Sequence, residues 1–306
     1  MSRSRPTRSP GQAMAWWWDT RVRSWWTVRL PVARRRAQAR ASDAPWRWAA
    51  PGGDLPQVPQ TGVTAILTRY RRGEYLQAQI EALRAQTHPP TEIWLWSNHA
   101  EDQSADDVSA QVDRLILCDS NFSFWGRFAL GNLARTPYVA FFDDDILPQP
   151  GWLQNCLSQY EQGLEGILGG SGVILPRKGG YSSAHKVGWN GHHDDTPTPV
   201  DLVGHAWFLK REYLRFMWAE PPVSWENGED IHLSAMALKH GGLSTWVPPH
   251  PESAPEKWSC RPDFGKTVGR TRSATFKSAA HHSVRDEVVD HHRAHGWTLV
   301  CEREVP

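Results

Sequence analysis

Tyr138–Phe142 is an apolar run that ends abruptly in three consecutive carboxylates, Asp143, Asp144 and Asp145. Adjacent carboxylates repel one another and resist leaving water, so a fold rarely sets three at the edge of a core without a countercharge. A hard divalent cation with oxygen ligands supplies one. Such an ion could hold a diphosphate and carry the charge of a phosphate leaving group. Side chains two apart at a strand end point to the same side, so Asp143 and Asp145 can face one site. Mg²⁺ or Mn²⁺ suits a site with few protein ligands completed by phosphate oxygens and water. The plain alternative is a polar turn that caps a strand and binds nothing.

A second acidic pair, Glu229-Asp230, follows Trp225–Gly228 and opens an apolar-periodic stretch. Capping and complementing a helix dipole would explain acids there without any chemistry. A carboxylate in this place could also remove a proton from a hydroxyl, provided it reaches that hydroxyl and stays ionised near neutral pH.

The elements that must position these groups begin at Gly62. Val63–Leu67 reads as a short β-branched strand, and Glu74–Arg84 as a helix with Leu76, Ile80 and Leu83 on one face. Glu92–Trp96 and Leu115–Leu117 are further strands. A helix near Gly126–Leu133 precedes the strand at Tyr138–Phe142. Strands alternating with helices predict an α/β fold with a mostly parallel central sheet and helices on both faces. Ligands on such sheets bind at the carboxyl ends of the strands, where Asp143–Asp145 sit. Beyond this point the pattern is mixed. Strands are predicted at Gly166–Pro176, Asp201–Leu209 and from Thr245, with a Gly-, His- and Pro-rich loop over 177–200. Helices are predicted at Ile231–Lys239 and about Ser283–His295, with an irregular, mobile stretch over 251–280.

The 306 residues are 40% hydrophobic and 22% charged, ordinary for a soluble globular chain. The net charge of +1 hides an asymmetry. Residues 1–60 carry 11 Arg against three Asp, whereas the rest holds 23 basic and 30 acidic side chains. A mildly acidic body argues against nucleic acid as a partner. Residues 1–60 read as a basic Arg/Trp-rich extension and linker, and 61–306 as the folded domain. Trp16–Trp18 and Trp25-Trp26, flanked by Arg21, Arg23 and Arg29, would suit a membrane-surface or partner-binding segment. The plainer reading is a disordered extension, or translation from an upstream start. The four cysteines are widely spaced, which fits reduced cytosolic thiols rather than a zinc or disulfide framework. With no apolar run of ~18 residues and no secretory signal, the expected location is cytoplasmic, with peripheral membrane contact left to residues 1–60.

Thr64–Leu76 resembles the opening strand and turn of GT-A glycosyltransferases, especially the large family-two group. Phe141–Pro148 resembles that fold's DxD motif. Asn227–Ser234 resembles its acidic "xED" motif, with an exostosin-like flavour that Asn121–Arg127 shares. The ordered set runs from about residue 62 to 250. The resemblance implies a GT-A fold and a metal-dependent transfer of sugar from a UDP- or GDP-sugar to a hydroxyl of a glycan or other acceptor. It places Thr68 and Arg69 at the base and ribose pocket and Asp143, Asp144 and Asp145 at the donor and metal. Gly204 lies in the segment that approaches the donor sugar. Family-two enzymes usually end the second strand in Asp; here the position is Asn98, left as a weaker base contact. Arg127 is open between a phosphate and a carboxylate partner. The resemblance assigns proton removal to Asp230, with Glu229 positioning the acceptor or acting as base in its place, and direct attack would invert the anomeric centre. The exostosin-like flavour leaves retention open. A third metal ligand is expected at His250, after the last core strand, and imidazole suits Mn²⁺ better than Mg²⁺. Trp207 and Trp225 are candidates to stack on sugar rings, against core packing as the alternative. Lys257, Arg261 and Lys266 could close as a lid over a pyrophosphate.

Two other functions compete. A nucleotidyltransferase on a similar sheet would need a Gly-rich phosphate loop with Lys after the first strand, and Arg69–Gly73 lacks it. A degenerate, non-catalytic sugar-binding scaffold would have lost one acidic motif, and both are present.

Overall fold

The computed structural model describes residues 62–70, 73–99, 108–189, 191–261, 263–264 and 280–303. The extension and linker expected at 1–60 and the lid residue Lys266 lie outside the described residues.

Four parallel strands form one half of a nine-stranded sheet: β1 (Val63–Arg69), β2 (Glu92–Ser97), β3 (Arg114–Leu117) and β4 (Tyr138–Phe142), in the order β3-β2-β1-β4. The register sets Arg69 beside Ser97 and Leu67 beside Phe142, so the carboxyl ends of β1, β2 and β4 share one edge. Parallel neighbours need crossovers. Helix α1 (Leu76–Arg84) links β1 to β2 and buries Leu76, Ile80 and Leu83 on the stripe the sequence predicts. Helix α2 (Gly126–Gly131) precedes β4. A Cβ on Gly126 would lie 2.4 Å from the Trp96 ring, so only glycine lets this helix sit on the sheet with Arg127 turned inward.

The second half joins through antiparallel strands. Helix α3 (Trp152–Glu161) leads to β5 (Ile167–Ile174), then β6 (His185–Gly188), β7 (Thr198–Val200) and β8 (Leu202–Lys210). Strand β8 lies between β4 and β5, antiparallel to both, with Phe142 opposite Ala206. The stretch read as a loop over 177–200 thus contains two short strands, β6 on β5 and β7 on the later β9. Helix α3 has no counterpart among the elements expected from the sequence, although Trp152, Leu153, Cys156, Leu157 and Tyr160 form its buried face. Helix α4 (Glu229–Gly241), β9 (Thr245–Val247) and helix α5 (Ala280–Ala294) complete the order. The first part of the stretch expected to be irregular is tied down: Gly151 N donates to Glu256 O at 2.7 Å, and Arg261 N to Leu147 O at 2.8 Å. Among the described residues, no helix is long and apolar enough to cross a membrane.

Two histidines fasten α5 to α4. His232 Nε2 lies 3.1 Å from the carbonyl of Met217, which can only accept, so this nitrogen carries the proton. His232 Nδ1 is then an acceptor, and His292 Nε2 donates to it at 3.1 Å. Both rings are buried. Burial lowers His232 to about 4 and His292 to about 3, the latter helped by His232. A proton on either ring would oppose two N–H groups or charge a desolvated ring. The folded state therefore binds these protons less tightly than the unfolded chain, whose histidines titrate near 6.5. The pair's stabilisation is complete above pH 6.5 and is lost as the pH falls towards 4. At pH 5 each ring costs about 2 kcal/mol, together about 4 kcal/mol, or roughly 10 °C in melting temperature. His292→Gln keeps a donor for His232 without a titrating ring. Melts at pH 7 and pH 5 should show about half of this pair's acid loss removed in the variant; equal losses would refute the assignment.

Candidate functional site

The carboxyl edge of the parallel half carries Thr68 and Arg69 on β1, Ser97 at the end of β2 with Asn98 after it, and Asp143 after β4. Gln79, on the buried face of α1, donates to Asp143 O at 2.8 Å and to Ile146 O at 2.7 Å, which fixes the turn bearing the three aspartates. Because β8 runs antiparallel to β4, Asp143 N donates to His205 O at 3.0 Å, and the His205 side chain comes to the same turn. His205 has φ 67°, a left-handed conformation that a non-glycine residue holds only where its surroundings impose it. Asp143, Asp145 and His205 each offer a ligand atom, and these atoms lie within 4.8 Å of one another. His205 Nδ1 is buried with no hydrogen-bond partner among the described residues and lies 3.9 Å from Asp143 Oδ2. Two carboxylates and a waiting imidazole fit a divalent cation, and the nitrogen favours Mn²⁺ over Mg²⁺.

The expected third ligand, His250, is elsewhere. Its ring is stacked with His193 at 5.6 Å and with Trp258 at 5.4 Å, and burial lowers it to about 3. Among the described residues it joins no cluster with the aspartates. The third member of the cluster is instead His205, the neighbour of Gly204 and not among the residues expected from the sequence.

Arg127 resolves in favour of carboxylates. One guanidinium nitrogen pairs with Asp143 Oδ1 and the other with Glu229 Oε1 at 2.9 Å. The guanidinium lies 4.4 Å from the centre of the Trp207 ring. Burial works against the charge, but the Asp143 and Glu229 carboxylates outweigh it and hold Arg127 above its ordinary value. Trp207 is therefore a buried floor beneath Arg127 and not a surface that a sugar can reach. Trp225 differs: it is 62% exposed and edge-on to Trp125 at 5.3 Å.

Asn98 is committed to the loop that follows it. Its amide donates to Asn121 Oδ1 at 2.8 Å and to Ser123 O at 2.9 Å, and its oxygen accepts from Phe122 N at 2.7 Å. Both amide hydrogens are used, which leaves Asn98 no donor for a base. Arg69 donates twice to Ser97 Oγ, at 3.3 and 3.1 Å, and burial lowers its pKa. It has no carboxylate partner among the described residues. Thr68 Oγ1 is buried and has no hydrogen-bond partner among them either.

The acidic pair opens α4. Gly228, at φ 90°, makes the turn into the helix, a conformation costly to any other side chain. Glu229 gives one oxygen to Arg127, and its other, Oε2, is buried without a partner among the described residues. Burial, then the neighbouring Asp230, push Glu229 up to about 7 against the pull of Arg127 and Arg285. Asp230 accepts from Ile231 N at 2.9 Å and from Arg285 Nη2 at 2.7 Å. A Cβ on Gly204 would lie 3.8 Å from Asp230 Oδ2, so Asp230 faces β8 one residue from His205. The acids thus do more than cap a helix: Arg127 ties Glu229 to Asp143, and Gly204 leaves room beside Asp230.

A family model described as "Glycosyl transferase family 2" matches residues 64–218. No curated protein matches the chain. Among solved structures, TarS of S. aureus is similar at 13% identity and a TM-score of 0.44, over 61% of this chain and 36% of that one. A shorter form, TarS 1–349 in complex with UDP, is similar at 13% identity and a TM-score of 0.46, over 61% of this chain and 60% of that one. The chain therefore spans about a third of the longer structure and three-fifths of the shorter.

Proposed function

Since the chain belongs to glycosyl transferase family 2, and is thus a transferase with the GT-A fold, we propose that it moves a sugar from a nucleoside-diphosphate sugar to an acceptor hydroxyl, with a divalent cation and a carboxylate base. The observation that carries this reading is the meeting of Asp143, Asp145 and His205 at the end of β4, with Asp230 facing β8 one residue away. Asp143, Asp145 and His205 would hold Mn²⁺, which when bound supplies positive charge to the oxygens of a leaving diphosphate.

The chain's own residues divide the remaining work. Thr68 and Arg69 line the nucleotide end of the sheet, and Asp144 is assigned to the donor. Gly204, lacking a side chain, lets a sugar approach the β8 backbone beside Asp230. Asp230 accepts the proton of the attacking hydroxyl. A carboxylate offers about four lone-pair positions, and two hydrogen bonds leave others open. Direct attack inverts the anomeric centre. Glu229, held by Arg127, flanks the acceptor side. Trp225 offers an exposed ring to the apolar C–H face of an acceptor sugar.

Calorimetric titration of the full chain with UDP, GDP, ADP and dTDP, with and without Mn²⁺, tests this. One nucleotide should bind only when the metal is present, which also names the donor class. A folded protein that binds none of them with Mn²⁺ would point to the degenerate scaffold.

A further inference from the structure

Arg285 lies on α5, beyond the span that the family model matches. Its side chain is buried, yet it carries a charge. Nη2 donates to Asp230 Oδ2 at 2.7 Å, and Nη1 to Asn227 Oδ1 at 3.1 Å. The guanidinium lies 4.1 Å from the centre of the Tyr181 ring. Burial opposes this charge, but Asp230, then Tyr181, hold it above its ordinary value. The fork thus fixes two points of the Asn227–Asp230 turn at once, against an aromatic face from a different segment. Asn227 is fixed again from α5, since its amide donates to His281 Nδ1 at 2.9 Å. The next residue on α5, Asp286, accepts from Tyr181 N at 2.6 Å, so one helix turn orders both the Tyr181 segment and the acidic turn.

We propose that Arg285 is a positioning residue for Asp230: α5 docks a planar two-point donor that aims the free lone pairs of this carboxylate at the acceptor hydroxyl. The inference rests on Asp230 being the base. An arginine suits the role because its donors form a rigid fork, whereas a lysine ammonium is a point charge on a flexible stem. A misplacement of about 1 Å in a reacting group can cost on the order of 100-fold in rate.

The test uses the full chain with Mn²⁺ and four donors, UDP-glucose, UDP-galactose, UDP-N-acetylglucosamine and GDP-mannose, with water as the acceptor hydroxyl. Hydrolysis forms the bond from the water oxygen to the anomeric carbon and breaks the bond to the diphosphate. The water proton goes to Asp230, and released nucleoside diphosphate is counted. Arg285→Met should lower kcat about 100-fold, with KM and calorimetric affinity for the nucleoside diphosphate within about threefold of wild type. Arg285→Ala should regain part of that loss in millimolar guanidinium, which fills the vacated place. Arg285→Lys keeps the charge and carries the test if the other variants do not fold; its kcat should fall about tenfold with binding unchanged. Wild-type kcat in a folded Arg285→Met or in Arg285→Lys would overturn the proposal. So would nucleotide affinity lost in step with kcat and no guanidinium rescue, the mark of a merely structural residue. Wild-type protein that releases no diphosphate from any donor and binds none of the nucleoside diphosphates with Mn²⁺ would sink the underlying reading of the donor and base, an outcome distinct from both.

Discussion

Asp143→Asn combined with Asp145→Asn should abolish Mn²⁺-dependent binding of nucleoside diphosphate, by about 100-fold or more in affinity. The substitution keeps shape and removes two negative charges from a cluster whose ligand atoms lie within 4.8 Å of one another. Neutral amide oxygens are poor ligands for a hard cation in competition with water. Changes to outer partners of metal ligands alone typically cost 10–100-fold in affinity, so losing two inner charges should exceed that range. Asp143 has a second duty, its pair with the buried Arg127. Removing one partner of a buried ion pair costs about 3–5 kcal/mol, and here Glu229 still faces the guanidinium. Some fall in melting temperature is therefore expected in the double variant. Asp145→Asn alone leaves the Asp143–Arg127 pair intact and separates loss of metal from loss of fold. The readouts are Mn²⁺ binding by electron paramagnetic resonance and nucleotide binding by calorimetry. Affinity within threefold of wild type in the folded double variant would remove the metal from these aspartates.

The aspartates were legible because their signal is local: a buried β run ending in charge needs no knowledge of distant pairing. The same holds for β1, β2, α1 and the parallel half of the sheet, whose periods are written in contiguous residues. His205 was not legible. It reaches Asp143 only through the antiparallel register of β4 on β8, which is set by strands more than 60 residues apart. His250, chosen by its place after the last core strand, is instead buried against the rings of His193 and Trp258. Arg127 was readable as a residue that must meet an anion, but which anion depended on how α2 packs on Trp96 through Gly126. Trp207 and Trp225 looked alike in sequence and differ wholly in burial. Arg285 gave no local sign, since a lone Arg in a charged terminal helix reads as a solvated face. The acidic pair at 229–230 had a sufficient local explanation in helix capping. Only the tertiary contacts to Arg127, Arg285 and Gly204 give it a second role.

Those contacts also separate the two acids. Asp230→Asn should lower turnover by 10²–10⁴, the usual contribution of a positioned general base, while Mn²⁺-dependent nucleotide affinity stays within about threefold. The asparagine is isosteric, but Ile231 N and Arg285 Nη2 bond different oxygens of Asp230, so its single oxygen keeps one of the two bonds and some fall in melting temperature is expected with the fold retained. What it lacks is the basicity to take a proton from a hydroxyl. Glu229 is the rival. Its Oε2 has no partner among the described residues, and burial with Asp230's charge raises it to about 7, a value suited to proton transfer near neutral pH. Its other oxygen is held by Arg127, whose second partner is Asp143. Glu229→Gln would therefore disturb the metal side as well as the acceptor side, whereas Asp230→Asn should not. If Asp230 is the base, Asp230→Asn changes kcat alone and Glu229→Gln changes nucleotide affinity too. If Asp230→Asn retains turnover and Glu229→Gln loses it, the proton goes to Glu229, and Arg285 then serves only the fold of the acidic turn.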